Sequence, residues 1–204
     1  YNTFIGGEAG DATTTSSSNT GIGYLALGAN TTGTRNVAVG ASVLDANTTA
    51  DDNTAIGYAS LGANTTGAAN TAVGSYALDA NTTGSHNTAL GYGAMSATTT
   101  AGWCTAVGRD ALAVHTTGAD NTAVGYASMS KLTTGTNNVA MGNSALANLT
   151  TTAGNTAIGK ASLTASVTGS YNTALGYLAL TACLDGGNNI AVGHNALAAN
   201  TAGA

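Results

Sequence analysis

Aliphatic residues fall in two fixed columns along the chain. One holds Ile5, Ile22, Val39, Ile56, Val73, Leu90, Val107, Val124, Met141, Ile158, Leu175 and Val192, each 17 residues after the last. The other follows five residues later, from Leu27, Leu44 and Leu61 through Met95 and Met129 to Leu197. Between them the chain is small and polar. The unit that carries both columns is 17 residues long and begins at residues 2, 19, 36, 53, 70, 87, 104, 121, 138, 155, 172 and 189, with no insertion or deletion. Tyr1 fills the last slot of a unit that would precede Asn2. A constant period in this range is the signature of a solenoid, in which each unit buries its apolar face only against its neighbours.

Slots 1 to 5 read as a short strand. Slot 1 is Asn in eleven units, slot 2 is always β-branched, slot 3 is mostly Ala, slot 4 is always aliphatic, and slot 5 is always Gly. Side chains alternate across a strand, so an inward slot 4 puts slot 2 inside and Ala outside or in a tight contact between chains. On this pattern the core is drawn from Ile56, Leu61, Val73, Leu78, Val124 and Leu146. The Asn column (Asn19, Asn36, Asn53, Asn70, Asn87, Asn121) predicts an amide ladder from coil to coil. The glycines Gly40, Gly57, Gly74, Gly91, Gly108 and Gly125 predict a corner that needs positive φ or close backbone approach. Slots 6 to 12 do not alternate, and their small residues around one Leu fit a short helical turn or a tight arc. Slots 13 and 14, usually Thr-Thr, favour strand, and the Gly common at slot 15 turns the chain back. The expected fold is all-β: one β-solenoid over residues 1–204, with twelve coils forming a rod of about 58 Å at ~4.8 Å per coil.

Composition narrows the function classes. Charged residues are 6% of the chain, against about 25% in ordinary domains. With four Lys and Arg in total there is no basic footprint, so no nucleic-acid partner is expected. Pro is absent, leaving every residue an N–H for a continuous ladder. No apolar run reaches the ~20 residues of a membrane span, and no membrane insertion is expected. No basic-then-apolar leader is visible. Cys104 and Cys183 lie four coils apart, about 19 Å, beyond disulfide reach within one chain.

Candidate chemistry is sparse. His86, His115 and His194 occupy three different slots, several coils apart, and read as solvated substitutions. No catalytic group, metal site or cofactor is expected, and the glycines match no phosphate loop. Asp51-Asp52 reads as a solvated acidic pair. The Thr-Thr column offers a regular hydroxyl array, the chemistry of an ice-binding face, but Val167, Leu184-Asp185 and Thr201-Ala202 interrupt it, and Thr also simply suits exposed turns. Asn30, Asn47, Asn64, Asn81 and Asn148 each open an Asn-x-Thr acceptor sequence, read either as glycosylation sites or as a by-product of the repeat. Tyr24, Tyr58, Tyr92, Tyr126 and Tyr177 share slot 6 and could bind carbohydrate or pack. Unit one departs from the consensus at Phe4, Gly7-Glu8, Gly10 and Ser16-Ser17-Ser18, as a partial cap or as drift. The last unit looks internal, so either the chain continues or its end stacks on another copy.

The motif Asn36-Val37-Ala38-Val39-Gly40, with Asn138-Val139-Ala140-Met141-Gly142 and Asn189-Ile190-Ala191-Val192-Gly193, resembles the head repeats of trimeric autotransporter adhesins. The longer unit is similar to repeat arrays in bacteriophage tail fibres and related bacterial surface proteins. The resemblance covers all twelve units. It implies an elongated extracellular segment, on a cell surface or virion, that self-associates as a trimer or an end-to-end filament and meets a cell-surface glycan or receptor. The period is longer than in the adhesin heads. A structural, non-enzymatic fibre segment giving reach and rigidity is the expected function. A self-stacking filament subunit and an ice- or carbohydrate-binding module are the alternatives.

Overall fold

The computed structural model describes residues 1–165, 168–183 and 185–201. Val167, Leu184 and Ala202, three of the interruptions in the Thr column, lie outside the described residues. The chain is an all-β solenoid. Each coil contributes one three-residue strand: β1 Thr3–Ile5, β2 Thr20–Ile22, β3 Val37–Val39, β4 Thr54–Ile56, β5 Thr71–Val73, β6 Thr88–Leu90, β7 Thr105–Val107, β8 Thr122–Val124, β9 Val139–Met141, β10 Thr156–Ile158, β11 Thr173–Leu175 and β12 Ile190–Val192. All twelve form one parallel sheet in sequence order. The register is strict: Thr54 pairs Thr71, Ala55 pairs Ala72 and Ile56 pairs Val73.

The strand faces are the reverse of the expected ones. Ala at slot 3 points inward, with Ala38, Ala55, Ala72 and Ala123 fully buried. Slot 4 points outward. Ile56 is 40% exposed, and Val73 and Val124 are half-buried, so these three are not core residues. The core is made instead by the slot 9 column, including Leu61, Leu78 and Leu146, packed on small residues at slots 3 and 8. The reason is width. Slot 3 faces slot 9 across a thin coil, so a strand side chain opposite a Leu has room for little more than a methyl.

The first coil displays that constraint. Phe4 replaces the inward Ala, and Gly10 replaces the Leu it would strike. A Cβ on Gly10 would stand 2.5 Å from the Phe4 ring. Gly21 in the next coil yields as well, since its Cβ would come within 2.8 Å of the same ring. Phe4, Gly10 and Gly21 are therefore a matched exchange of volume.

The arc is neither helix nor strand. Slots 7, 9 and 17 hold left-handed φ in non-Gly residues, for example Ala59 at 54°, Leu61 at 52° and Ala69 at 57°. Such residues cost on the order of 1–3 kcal/mol each. At slot 9 full burial of a Leu, about 1.5–3 kcal/mol, offsets this. The alternation sends backbone N–H groups up and down the stack. Ala59 donates to Ala41 O in the preceding coil at 3.0 Å, and Leu61 to Ala77 O in the following one at 3.0 Å. Backbone groups in a segment without regular structure thus find partners. The Thr-Thr segment is likewise bent, not strand.

Candidate functional site

Two polar columns run inside the solenoid. At slot 1 the Asn side chains bond mainly to backbone, not to one another. Asn36 Oδ1 accepts the N–H of Asn53 at 3.0 Å, and Asn53 Nδ2 donates to Gly67 O at 2.9 Å. Direct amide–amide bonds are added at some steps, such as Asn70 Nδ2 to Asn53 Oδ1 at 3.2 Å. Cys104 interrupts the column between Asn87 and Asn121. Its N–H is taken by Asn87 Oδ1 at 3.0 Å, but it has no amide to pass on, and burial pushes its thiol pKa up. Cys104 and Cys183 are both buried free thiols.

The second column, at slot 12, was not foreseen. Asn30, Asn47, Asn64 and Asn81 are fully buried. Asn47 Nδ2 donates to Asn30 Oδ1 at 2.8 Å, Asn64 to Asn47 at 3.0 Å, and Asn81 to Asn64 at 2.9 Å. These four amides are closed to glycosylation in the folded chain, because their nitrogens are interior donors. Asn148, at slot 11, is half-buried and accepts a hydrogen bond from Lys131 Nζ at 2.8 Å. The signal was present in the sequence: the same slot carries Leu132, Leu149 and Cys183, residues suited to an interior.

The ladder ends where the slot changes. Asn81 Oδ1 and Thr98 Oγ1 are buried without partners. His115 follows in the same column, fully buried rather than solvated. Asn121 Nδ2 lies 3.4 Å from its Nε2, as a donor to a neutral ring would, while Nδ1 has no partner. Burial lowers its pKa to about 4. His86 and His194 are exposed and stack on Trp103 and Tyr177 at 5.5 and 5.3 Å.

Outside, Asp51 and Asp52 are joined to Arg35. Its Nε and Nη2 donate to the two Asp52 oxygens at 2.6 and 2.8 Å, and Asp51 Oδ1 accepts from the Thr34 hydroxyl at 2.9 Å. The hydrogen bond from Arg35 holds the Asp52 pKa below its ordinary value. Asp45 and Asp79 are raised by burial. Among the described residues, no three of His, Cys, Asp and Glu come together as a metal site would require. The slot 6 tyrosines stand about half exposed. Tyr76 wedges edge-on between Tyr58 and Tyr92, at 5.4 and 5.9 Å, and Arg109 lies over the Tyr92 ring at 5.5 Å.

The Thr columns divide by hydroxyl. Slot 13 hydroxyls are used within the stack, as Thr65 Oγ1 donates to Thr82 O at 3.0 Å. Slot 14 residues such as Thr66 and Thr83 are exposed. Most regular is the outer sheet face, where slots 2 and 4 of all twelve strands stand side by side. Leu90, Met141 and Leu175 are 44–46% exposed there.

No protein-family model, no curated protein and no solved structure matches the chain.

Proposed function

We propose that this chain is a structural segment of an extracellular fibre or filament, on a cell surface or virion, whose role is reach and rigidity. The observation that carries the reading is the unbroken register: from β1 to β12 each strand pairs with the next, with no slip. Arc and corners are tied across the same interfaces, so bending the rod would break backbone bonds in every coil it crosses. Self-association of copies, as a homo-oligomer or an end-to-end filament, belongs to this reading and is supported by the resemblance of the repeat to fibre arrays.

Electron microscopy of the purified protein, with mass determination of the intact particle, tests it. Uniform rods or longer fibres with a ~4.8 Å axial repeat are expected, and the mass gives the number of chains per cross-section. Flexible or collapsed particles without that repeat would overturn the reading.

A further inference from the structure

The outer sheet face combines two columns. Slot 2 supplies nine threonines, Thr3, Thr20, Thr54, Thr71, Thr88, Thr105, Thr122, Thr156 and Thr173, with Val37, Val139 and Ile190 in the other three coils. Slot 4 supplies an aliphatic side chain in every coil. Slot 13 hydroxyls are consumed by carbonyls, yet none of the nine slot 2 hydroxyls makes a hydrogen bond within the protein. All nine are exposed or half-buried and lie on the outward side of in-register strands. Each keeps donor and acceptor capacity for water. β-Branched side chains in strands are stiff at χ1, so hydroxyls and methyls repeat with the backbone. The array has a period of ~4.8 Å along the rod and ~6.6 Å across it, two residues along a strand.

We propose that this face is an ice-binding surface, with crystalline ice as its ligand. The methyl and aliphatic groups cannot bond water and constrain it to a cage over the face. The regularly placed hydroxyls anchor that layer at intervals comparable to the oxygen repeats of an ice plane. A second copy of the chain fits less well. It would bury the hydroxyl column, and a hydroxyl left without a partner in an apolar interface loses its bonds to water with nothing to replace them. The site is distinct from the Thr-Thr column: the slot 13 hydroxyls from Thr14 to Thr133 are spent on carbonyls of the next coil, and slot 14 lies on bent backbone. The inference goes beyond the fibre reading and does not depend on it.

Thermal hysteresis and inhibition of ice recrystallisation, measured on the full chain alongside particle mass, test the proposal. Activity is expected in the native protein. Thr71→Lys with Thr88→Lys, both outward on the sheet, should abolish it while leaving the far-UV circular dichroism and mass unchanged. Thr66→Lys with Thr83→Lys, on the slot 14 bends, should leave it intact. The milder Thr71→Val with Thr88→Val keeps the methyls and removes only hydroxyls, and a partial loss is expected. No activity in the native chain would overturn the proposal, whether its face is free or covered by another copy. Loss on the slot 14 substitutions alone would overturn it too. Fibres seen without ice activity would leave the structural reading standing.

Discussion

His115 shows how much one side chain can set against the surrounding fold. Its ring is buried and unprotonated, with a folded pKa of about 4 against an ordinary 6.5. As pH falls from 6.5 toward 4 the unfolded chain takes up the proton first, so stability is lost through that window and is fully present above it. The loss amounts to at most about 3 kcal/mol. Asp45 and Asp79, raised by burial, act in the opposite sense, because the folded state holds their protons more readily. His115→Leu, which repeats the residue of the next coil in that slot, should flatten the fall in melting temperature between pH 6.5 and 4 in thermal scans. A second contrast isolates backbone sign. Gly57 stands at φ +125°, and a Cβ there would sit 2.7 Å from Gly74 C. Gly62 lies outside the left-handed region, and its nearest neighbour to a Cβ is an ordinary 3.4 Å away. Gly57→Ala should cost about 2–4 kcal/mol in chemical denaturation, whereas Gly62→Ala should be neutral or stabilising by up to about 1 kcal/mol.

At the scale of one coil, the Asn column acts as a seam that joins each strand entry to the next coil. The seam has one fault, at Cys104, whose sulfur offers only weak contacts to Gly102 O and Gly118 O at 3.5 Å. Cys104→Asn should restore a donor to Gly118 O and an acceptor for the Asn121 N–H. Two ordinary hydrogen bonds at ~0.5–1.5 kcal/mol each predict a gain of about 1–2 kcal/mol, read as a shift in denaturation midpoint. The seam was legible in the sequence as a column of eleven Asn, but not its chemistry. Whether an amide bonds its neighbour's amide or the backbone depends on where slot 15 of its own coil lies once the chain has turned back, as Gly67 O does for Asn53. The arc was less legible still. Left-handed Leu and Ala at slots 7 and 9 carry no local signature, because the stack, not propensity, imposes their conformation.

Over the whole molecule, coils touch only their neighbours, so damage should stay local. Leu112 is fully buried, and Leu112→Ala should cost about 2–5 kcal/mol. Hydrogen exchange should rise in the coils on either side of residue 112, while protection over residues 20–60 is retained. A uniform rise along the rod would show that the twelve coils unfold as one unit.

The sequence by itself determined the period, the coil boundaries, the parallel register and the positions of Leu61, Leu78 and Leu146. A repeat without insertions can stack in only one register, and one large apolar residue per coil must find cover. Only the tertiary structure decided which strand face looks inward. Alternation says that Ala55 and Ile56 point opposite ways, but hydrophobicity chose the wrong one. The deciding quantity is the width of the coil, where a Leu from the arc already fills the space facing the strand. For the same reason the slot 12 amides are interior and the aliphatic column with its free threonine hydroxyls is left on the surface. Volume across the coil is a relation between residues six or more apart, fixed only when the chain closes on itself.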